Sequence, residues 1–451
     1  MDSSAIPVAS DFKDTFFGMF SRLKISCLIA AIFFLVSCAP PSLWNVRDSS
    51  RREHQLWKKT VEPYLQVPLW RTGYIYDAGH FLMVPLHAAF QLKELSWQRQ
   101  FSSHFGRFAE AYPREIAAGR LNRLQYFYLL SRFMSLAWQT GNHHLIPPAL
   151  PDIVLEKIQR LWSGEPAWQW GRPPFPGGMR ERLSWKLWQK TSRRSYYRAI
   201  IDEELYLFAI AADVCFCRRM QGGCVPAFIN EILGVAYEVF QQRVKWLPDG
   251  GWLFQTGVWD DYPDYAYAGC LEKKKELQPS TVHDVATDSS HSHRFPLWLS
   301  SLAAADSSSA GSRKNYYVKL RQGMARQFFL KVLLPPTAEF PAFRLNNYMD
   351  GGNGIFRWNY PTQGAGRGYG PYELSGTLLL GWWTFLQTAE IRDVYRDIVR
   401  QFPLPAAVAA LYLGPDTNRQ RERLVKGENP YRNGFYELIC LLAGTLPRYD
   451  D

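Results

Sequence analysis

Apolar residues recur at helical spacing along most of the chain, and few stretches carry the alternation a strand needs. Segments near 78–98, 121–140, 150–162, 197–220, 226–245, 313–334, 373–389, 391–401 and 432–445 each read as helix, several bounded by Pro or Gly. Strand signals are confined to Gly250–Phe254 and to the glycine-rich stretch Tyr348–Phe356, each a small hairpin or an elaborated loop. The expectation is an all-α body of about a dozen helices. A chain of 451 residues with 47 % apolar composition holds enough material for one large core or two smaller ones.

The first residues follow a different rule. A polar stretch ends in Arg22 and Lys24, and the apolar run Ile25 to Val36 follows. That run is shorter than the roughly 20 residues a spanning helix needs and within the length of a signal core. The residues that close it, Leu35-Val36-Ser37-Cys38, resemble the lipobox of bacterial lipoproteins. The resemblance implies cleavage before Cys38, lipid on that cysteine, and a body outside the cytoplasm. Ala39 stands where aspartate would retain such a protein at the inner membrane, so the outer membrane, facing the periplasm, is expected. The organisation read from this is a signal peptide (1–37), a lipidated tether (38–58) rich in Pro, Ser and Arg, and a helical domain (59–451).

The basic residues Lys13, Arg22 and Lys24 in the signal are matched by Asp2, Asp11 and Asp14, so the formal charge of +11 belongs to the mature body. A basic surface outside the cytoplasm draws anionic polymers or headgroups, and nucleic acid is not an expected partner there. The 17 Trp, 24 Tyr and 28 Phe fill a core in the first instance, and their flat faces also suit sugar rings. Past Cys38 the thiols are Cys215, Cys217, Cys224, Cys270 and Cys440, an odd number; a local disulfide or buried thiols on an apolar helix suit them better than a zinc site.

Three polar clusters carry candidate chemistry. The densest, His283-Asp284 through Asp288, His291, His293 and Arg294, precedes an apolar helix. The second, Trp259 to Gly269, holds Asp260, Asp261 and Asp264; crowded carboxylates raise one another's pKa, although Asp before Pro263 is also what a helix start requires. The third runs from Asp350 through Asn353 and Arg357, and on through Tyr369 to Glu373, among glycines that allow close approach to a flat ligand. An internal echo links the first to an earlier segment: Asp77 to Leu86 and Asp288 to Leu297 share D-x-x-H-x-x-x-x-P-L. Both read as equivalent openings of inner helices.

With the clusters gathered at one rim, the body resembles, in architecture and residue type only, the (α/α) toroids that act on polysaccharides, both lyases of uronic-acid polymers and inverting glycoside hydrolases. The resemblance implies a toroid-like barrel with small hairpins or elaborated loops at the cleft. Lyase chemistry would use His291 or Tyr369 as base, Arg294, Arg357 and Asn353 to neutralise the uronate carboxylate, and His80 across the ring, with Asp77 and Asp288 beside the histidines. A hydrolase would draw two carboxylates from Asp77, Asp260, Asp264, Asp288, Asp350 and Glu373. His293 joins the substrate-binding set. No cofactor is expected; a metal held by His80, His291 and His293 is a minor branch. The non-enzymatic alternative is a lipoprotein that binds a glycan or serves envelope assembly through the same cleft.

Overall fold

The computed structural model describes residues 43–71, 75–112, 120–189, 193–306, 311–415 and 432–447. The expected signal peptide and Cys38 lie outside the described residues. Contacts divide the chain into a first unit, 1–55, and a second, 56–451. The first unit is described from Leu43 on, as the opening of helix α1 (Leu43–Lys59). The segment expected as a tether over 38–58 is therefore helical from Leu43. The compact unit begins before residue 59, because Trp57 is buried and stacks on Trp97 with ring centroids 4.0 Å apart.

After α1 come α2 (Val61–Gln66), α3 (Ile75–Phe81), α4 (Met83–Gln91), α5 (Leu95–Ala111), α6 (Arg120–Gln139), α7 (Leu150–Gln159), α8 (Gly178–Trp188), α9 (Asp202–Met220) and α10 (Ala227–Arg243). A hairpin joins β1 (Val244–Trp246) to β2 (Trp252–Phe254) in antiparallel register, Lys245 opposite Leu253. Then follow α11 (Ser289–Ser292), α12 (Phe295–Ala305) and α13 (Ser312–Gln327), the short pair β3 (Leu333–Leu334) and β4 (Arg344–Leu345), and α14 (Ala389–Arg400), α15 (Ala406–Leu413) and α16 (Phe435–Thr445). The body is mostly helical, with two small ladders among the described residues.

Helix α9 lies at the centre. It is apolar on nearly every side from Leu205 to Val214 and buried on every side there, and it packs between α6 and α12. Within that stretch the charged Asp213 accepts from Arg132 at 2.6 Å and Ser131 at 2.9 Å, so the buried carboxylate is partnered. Cys215 and Cys217 are buried free thiols on this same helix, as an apolar helix position predicts.

Two expected helices take another form. The segment 78–98 is cut into α3, α4 and α5: Leu82 separates the first two, and Lys93, at φ 59°, ends α4. The segment 373–389 is two 3₁₀ turns, Ser375–Leu380 and Trp382–Leu386, because Gly381 between them takes φ 76°. The stretch 348–356 forms no hairpin; it is a loop pressed so closely onto Ala268 that a Cβ at Gly354 would lie 1.6 Å from the Ala268 carbonyl oxygen.

Candidate active cleft

The two copies of D-x-x-H open the same local structure. Asp77 and His80 lie on the short helix α3, followed after one residue by α4 with Pro85 in its first turn. Asp288 and His291 belong to the short helix α11, followed after two residues by α12 with Pro296 at its second position. A proline in a first turn removes an N–H that has no helical acceptor, which is why it recurs at both starts. The chain brings both motifs to one cleft.

That cleft has two lobes with cavity volumes of about 200 and about 190 Å³. The first is aromatic, walled by Trp170, Trp259, Tyr262, Tyr265 and Phe356. The second is polar, walled by Asp77, His80, His293, Arg294, Tyr369 and Glu373. His291 and Arg357 line both and mark the junction.

Asp288 caps α11: its carboxylate accepts from the backbone N–H of His291 at 3.0 Å and from Ser290 Oγ. The same carboxylate receives His291 Nδ1 at 2.8 Å and the Tyr265 hydroxyl at 2.8 Å. Burial alone would raise the Asp288 pKa; the His291 and Ser290 contacts outweigh it and hold the group well below the usual carboxylate range. Burial, then Asp288, pushes Tyr265 well above the usual phenol range, so it remains a donor. An ionised Asp288 draws the Nδ1–H of His291 toward itself and turns Nε2 to the junction. That nitrogen makes no hydrogen bond among the described residues, and the side chain keeps 28 % exposure at the lobe junction.

Arg357 lines the same junction in a left-handed conformation, φ 57°, uncommon for a residue with a side chain. Asp264 holds it there: Arg357 Nε donates to Asp264 Oδ2 at 2.8 Å and its backbone N–H to the Asp264 carbonyl at 2.9 Å. Its guanidinium lies 4.5 Å from the Tyr360 ring centroid. The two η nitrogens make no hydrogen bond among the described residues. The junction therefore presents an unbonded imidazole nitrogen and a fixed cation on the lining common to both lobes.

The remaining expected residues divide clearly. His80 is committed on both nitrogens, Nδ1 to the Tyr76 carbonyl at 3.1 Å and Nε2 to Arg294 at 2.9 Å. Arg294 also donates to Asp202 on α9, so this buried guanidinium ties three helices and is not available to neutralise a ligand. Burial and Arg294 push the His293 pKa well below the usual histidine range, which leaves the ring neutral. A metal held by these three histidines would cost His80 its bond to Tyr76 or to Arg294, and the three form no converging group among the described residues. Glu373 accepts from Lys273 and from the Gly370 N–H, and Tyr369 receives Gln363 at 3.4 Å.

Asp260, Asp350 and Asn353 do not line the cleft. Asp260 accepts the backbone N–H groups of Asp284 and Val285 at 3.0 Å each and so closes a surface loop, where His283 also reaches it. Asp350 turns back on the Gly352 N–H at 2.8 Å. Asn353 accepts from the Tyr372 N–H at 2.9 Å, holding loop to loop, so it is not free for the ligand role expected of it.

Sequence reasoning passed over Asn347, which is wholly buried. Its amide donates to the carbonyls of Gly354 and Gly370 at 2.9 Å each, its Oδ1 accepts from Leu374 N–H at 3.4 Å, and its carbonyl accepts from Ser289 N–H at 2.8 Å. One residue, through its side chain on the wall that bears Phe356, Arg357 and Tyr369 and its main chain on Ser289, thus fastens that wall to the start of α11. Trp170 and Asp202 were also missed; the doublet Trp168-Gln169-Trp170 was the available signal for the first. No protein-family model, curated protein or solved structure matches this chain.

Proposed function

We propose that the chain is a lipoprotein held by lipid on Cys38 at the bacterial outer membrane, facing the periplasm, and that its toroid-like helical body cleaves an anionic polysaccharide by β-elimination. The observation that carries the reading is the junction pair, His291 Nε2 and the Arg357 guanidinium, between an aromatic and a polar lobe. Arg357 neutralises the uronate carboxylate and acidifies the C5 proton. His291 Nε2 takes that proton, and the electron pair expels the glycosidic oxygen from C4. The oxygen departs with a proton returned by His291 or given by Tyr369. The aromatic walls suit the apolar faces of pyranose rings, and the net charge of +11 favours a polyanion.

Hydrolysis is less well supported. Of the carboxylates lining the cleft, Asp202, Glu203, Asp264 and Glu373 each accept from an arginine or lysine, so an inverting pair, even one drawn with Asp77, would need at least one of these to give up an ion pair before acting. The deciding experiment incubates the mature protein with alginate, pectate and glycosaminoglycans. Ultraviolet absorbance of the conjugated, unsaturated product is expected to rise; reducing ends without absorbance would mean hydrolysis. Turnover of none of them would overturn the enzymatic reading and leave a glycan-binding or envelope-assembly role.

A further inference from the structure

Several features outside the junction invite a function. The Asp260, His283 and Asp284 side chains form an exposed group with nothing at it to indicate a ligand. The cluster of Arg182 and Lys186 with Glu203 and Glu204 is internally matched, and Glu203 alone reaches the cleft already described. A third feature, the aromatic side chains that leave the cleft, reaches further.

From His291 the rings run outward without a gap: Phe356 at 6.3 Å, then Tyr265 at 5.3 Å and Trp259 at 5.7 Å from its neighbour. They continue through Tyr262 at 5.2 Å, Trp170 at 5.7 Å and Trp168 at 4.9 Å. Trp168, at the outer end, is 47 % exposed. A lone exposed tryptophan needs no explanation, but this one closes a continuous row and stands on a fixed backbone. Its carbonyl accepts from the buried Arg182 at 2.8 Å, and the Ala167 and Phe175 backbones pair at 2.8 Å in both directions. Next to it, Gln169 donates to the Tyr197 carbonyl, and Gly171 packs so tightly that a Cβ would lie 2.5 Å from the Tyr197 ring. Beside this loop Arg193 and Arg194 share an open hollow with Tyr197 and Asp261; Asp261 is bound to Ser195, and Arg193 donates to the Gly171 carbonyl at 2.6 Å.

We infer that the aromatic lobe is the inner end of a longer saccharide track, running over Trp170 to Trp168 and the Arg193–Arg194 hollow, which binds several consecutive residues of an acidic chain. This rests on the proposed action on an anionic polysaccharide and adds where the chain lies and what length it needs. Rigid stacking surfaces at the outer end hold a polymer without losing the loop entropy that a mobile platform would cost.

The test measures binding of purified di- and hexasaccharides of polygalacturonate, polymannuronate and a glucuronate-containing glycosaminoglycan by calorimetry. The hexasaccharide of the accepted polymer is expected to bind more tightly than the disaccharide. Trp168→Ala should weaken the hexasaccharide alone by about tenfold, with Trp168→Tyr restoring most of it. Arg194→Gln should flatten the salt dependence of hexasaccharide binding and leave the disaccharide unchanged. Equal affinity for both lengths, or hexasaccharide binding unchanged in Trp168→Ala, would overturn the track while leaving the junction chemistry standing. Failure of the unaltered protein to bind any of these sugars would instead remove the polysaccharide reading on which it rests.

Discussion

The segments Asp77–Leu86 and Asp288–Leu297 share a motif and end as different devices. In the second, Asp288 sits just outside α11 as its cap, ψ 155°, so its carboxylate folds back on His291 and leaves Nε2 facing the cleft. In the first, Asp77 is already inside α3, and His80 turns its two nitrogens to a carbonyl and to Arg294. A shift of the aspartate from cap to helix interior converts one histidine to a candidate base and the other to a strut. Equal spacing in the sequence therefore does not imply equal roles.

The largest effect expected from this difference is on turnover. His291→Gln should lower the rate on an accepted uronate polymer by about a thousandfold with little change in melting temperature, as loss of a general base does. His80→Gln should keep the rate within about tenfold of the unaltered protein. Equal losses in the two variants, measured from initial rates, would erase the distinction.

Next in size is a stability effect. Arg294→Ala leaves Asp202 and His80 without their buried donor and should lower unfolding free energy by about 3 kcal/mol in denaturant melts. Arg357→Ala removes one ion pair, Nε to Asp264, and should cost less than Arg294→Ala, which takes the donor from both Asp202 and His80. Comparable destabilisation by both would mean that the junction cation is structural as well.

The smallest effect is a pH dependence at the ring between the two motifs. His293 is held neutral, its folded pKa below its unfolded value, so unfolding takes up a proton only as pH falls through about 6.5. Stability should be flat in this group above about pH 7 and should fall by about 1.4 kcal/mol per unit below 6.5. His87 and His104, likewise lowered by burial, the latter to about 3, add to the same limb. Asp288 has the opposite shape: its stabilisation is complete above about pH 5 and is lost as pH falls through its depressed pKa. His293→Phe should make the upper part of the acid limb shallower by one proton; an unaltered slope in pH-dependent melts would count against a neutral His293.

Helices were legible wherever apolar spacing was uninterrupted, as in α6, α9 and α10, because burial of one or more faces dominates local preference there. The region 373–389 misled because its apolar residues follow a helical period while Gly376 and Gly381 meet tertiary constraints no period encodes: a Cβ at Gly376 would lie 2.0 Å from the Tyr412 carbonyl oxygen. The histidine-rich cluster and Arg357 were visible as residue types. Which of them kept an unoccupied nitrogen was not, since that depends on partners distant in sequence: Asp202 for Arg294, Asp264 for Arg357, Arg294 for His80. Asp260, Asp350 and Asn353 drew attention by the same polar chemistry that suits them to closing turns.

Asn347 has a consequence for how such a cleft could change over generations. Because its side-chain amide joins the loops at Gly354, Gly370 and Leu374 while its main-chain carbonyl holds the chain entering α11, an alteration there is expected to shift Phe356, Arg357 and the Asp288 cap together. The shape of that wall is therefore not adjustable one residue at a time. Trp168 and its neighbours, by contrast, rest on a separate anchorage in Arg182, so a change there leaves the Asn347 wall in place.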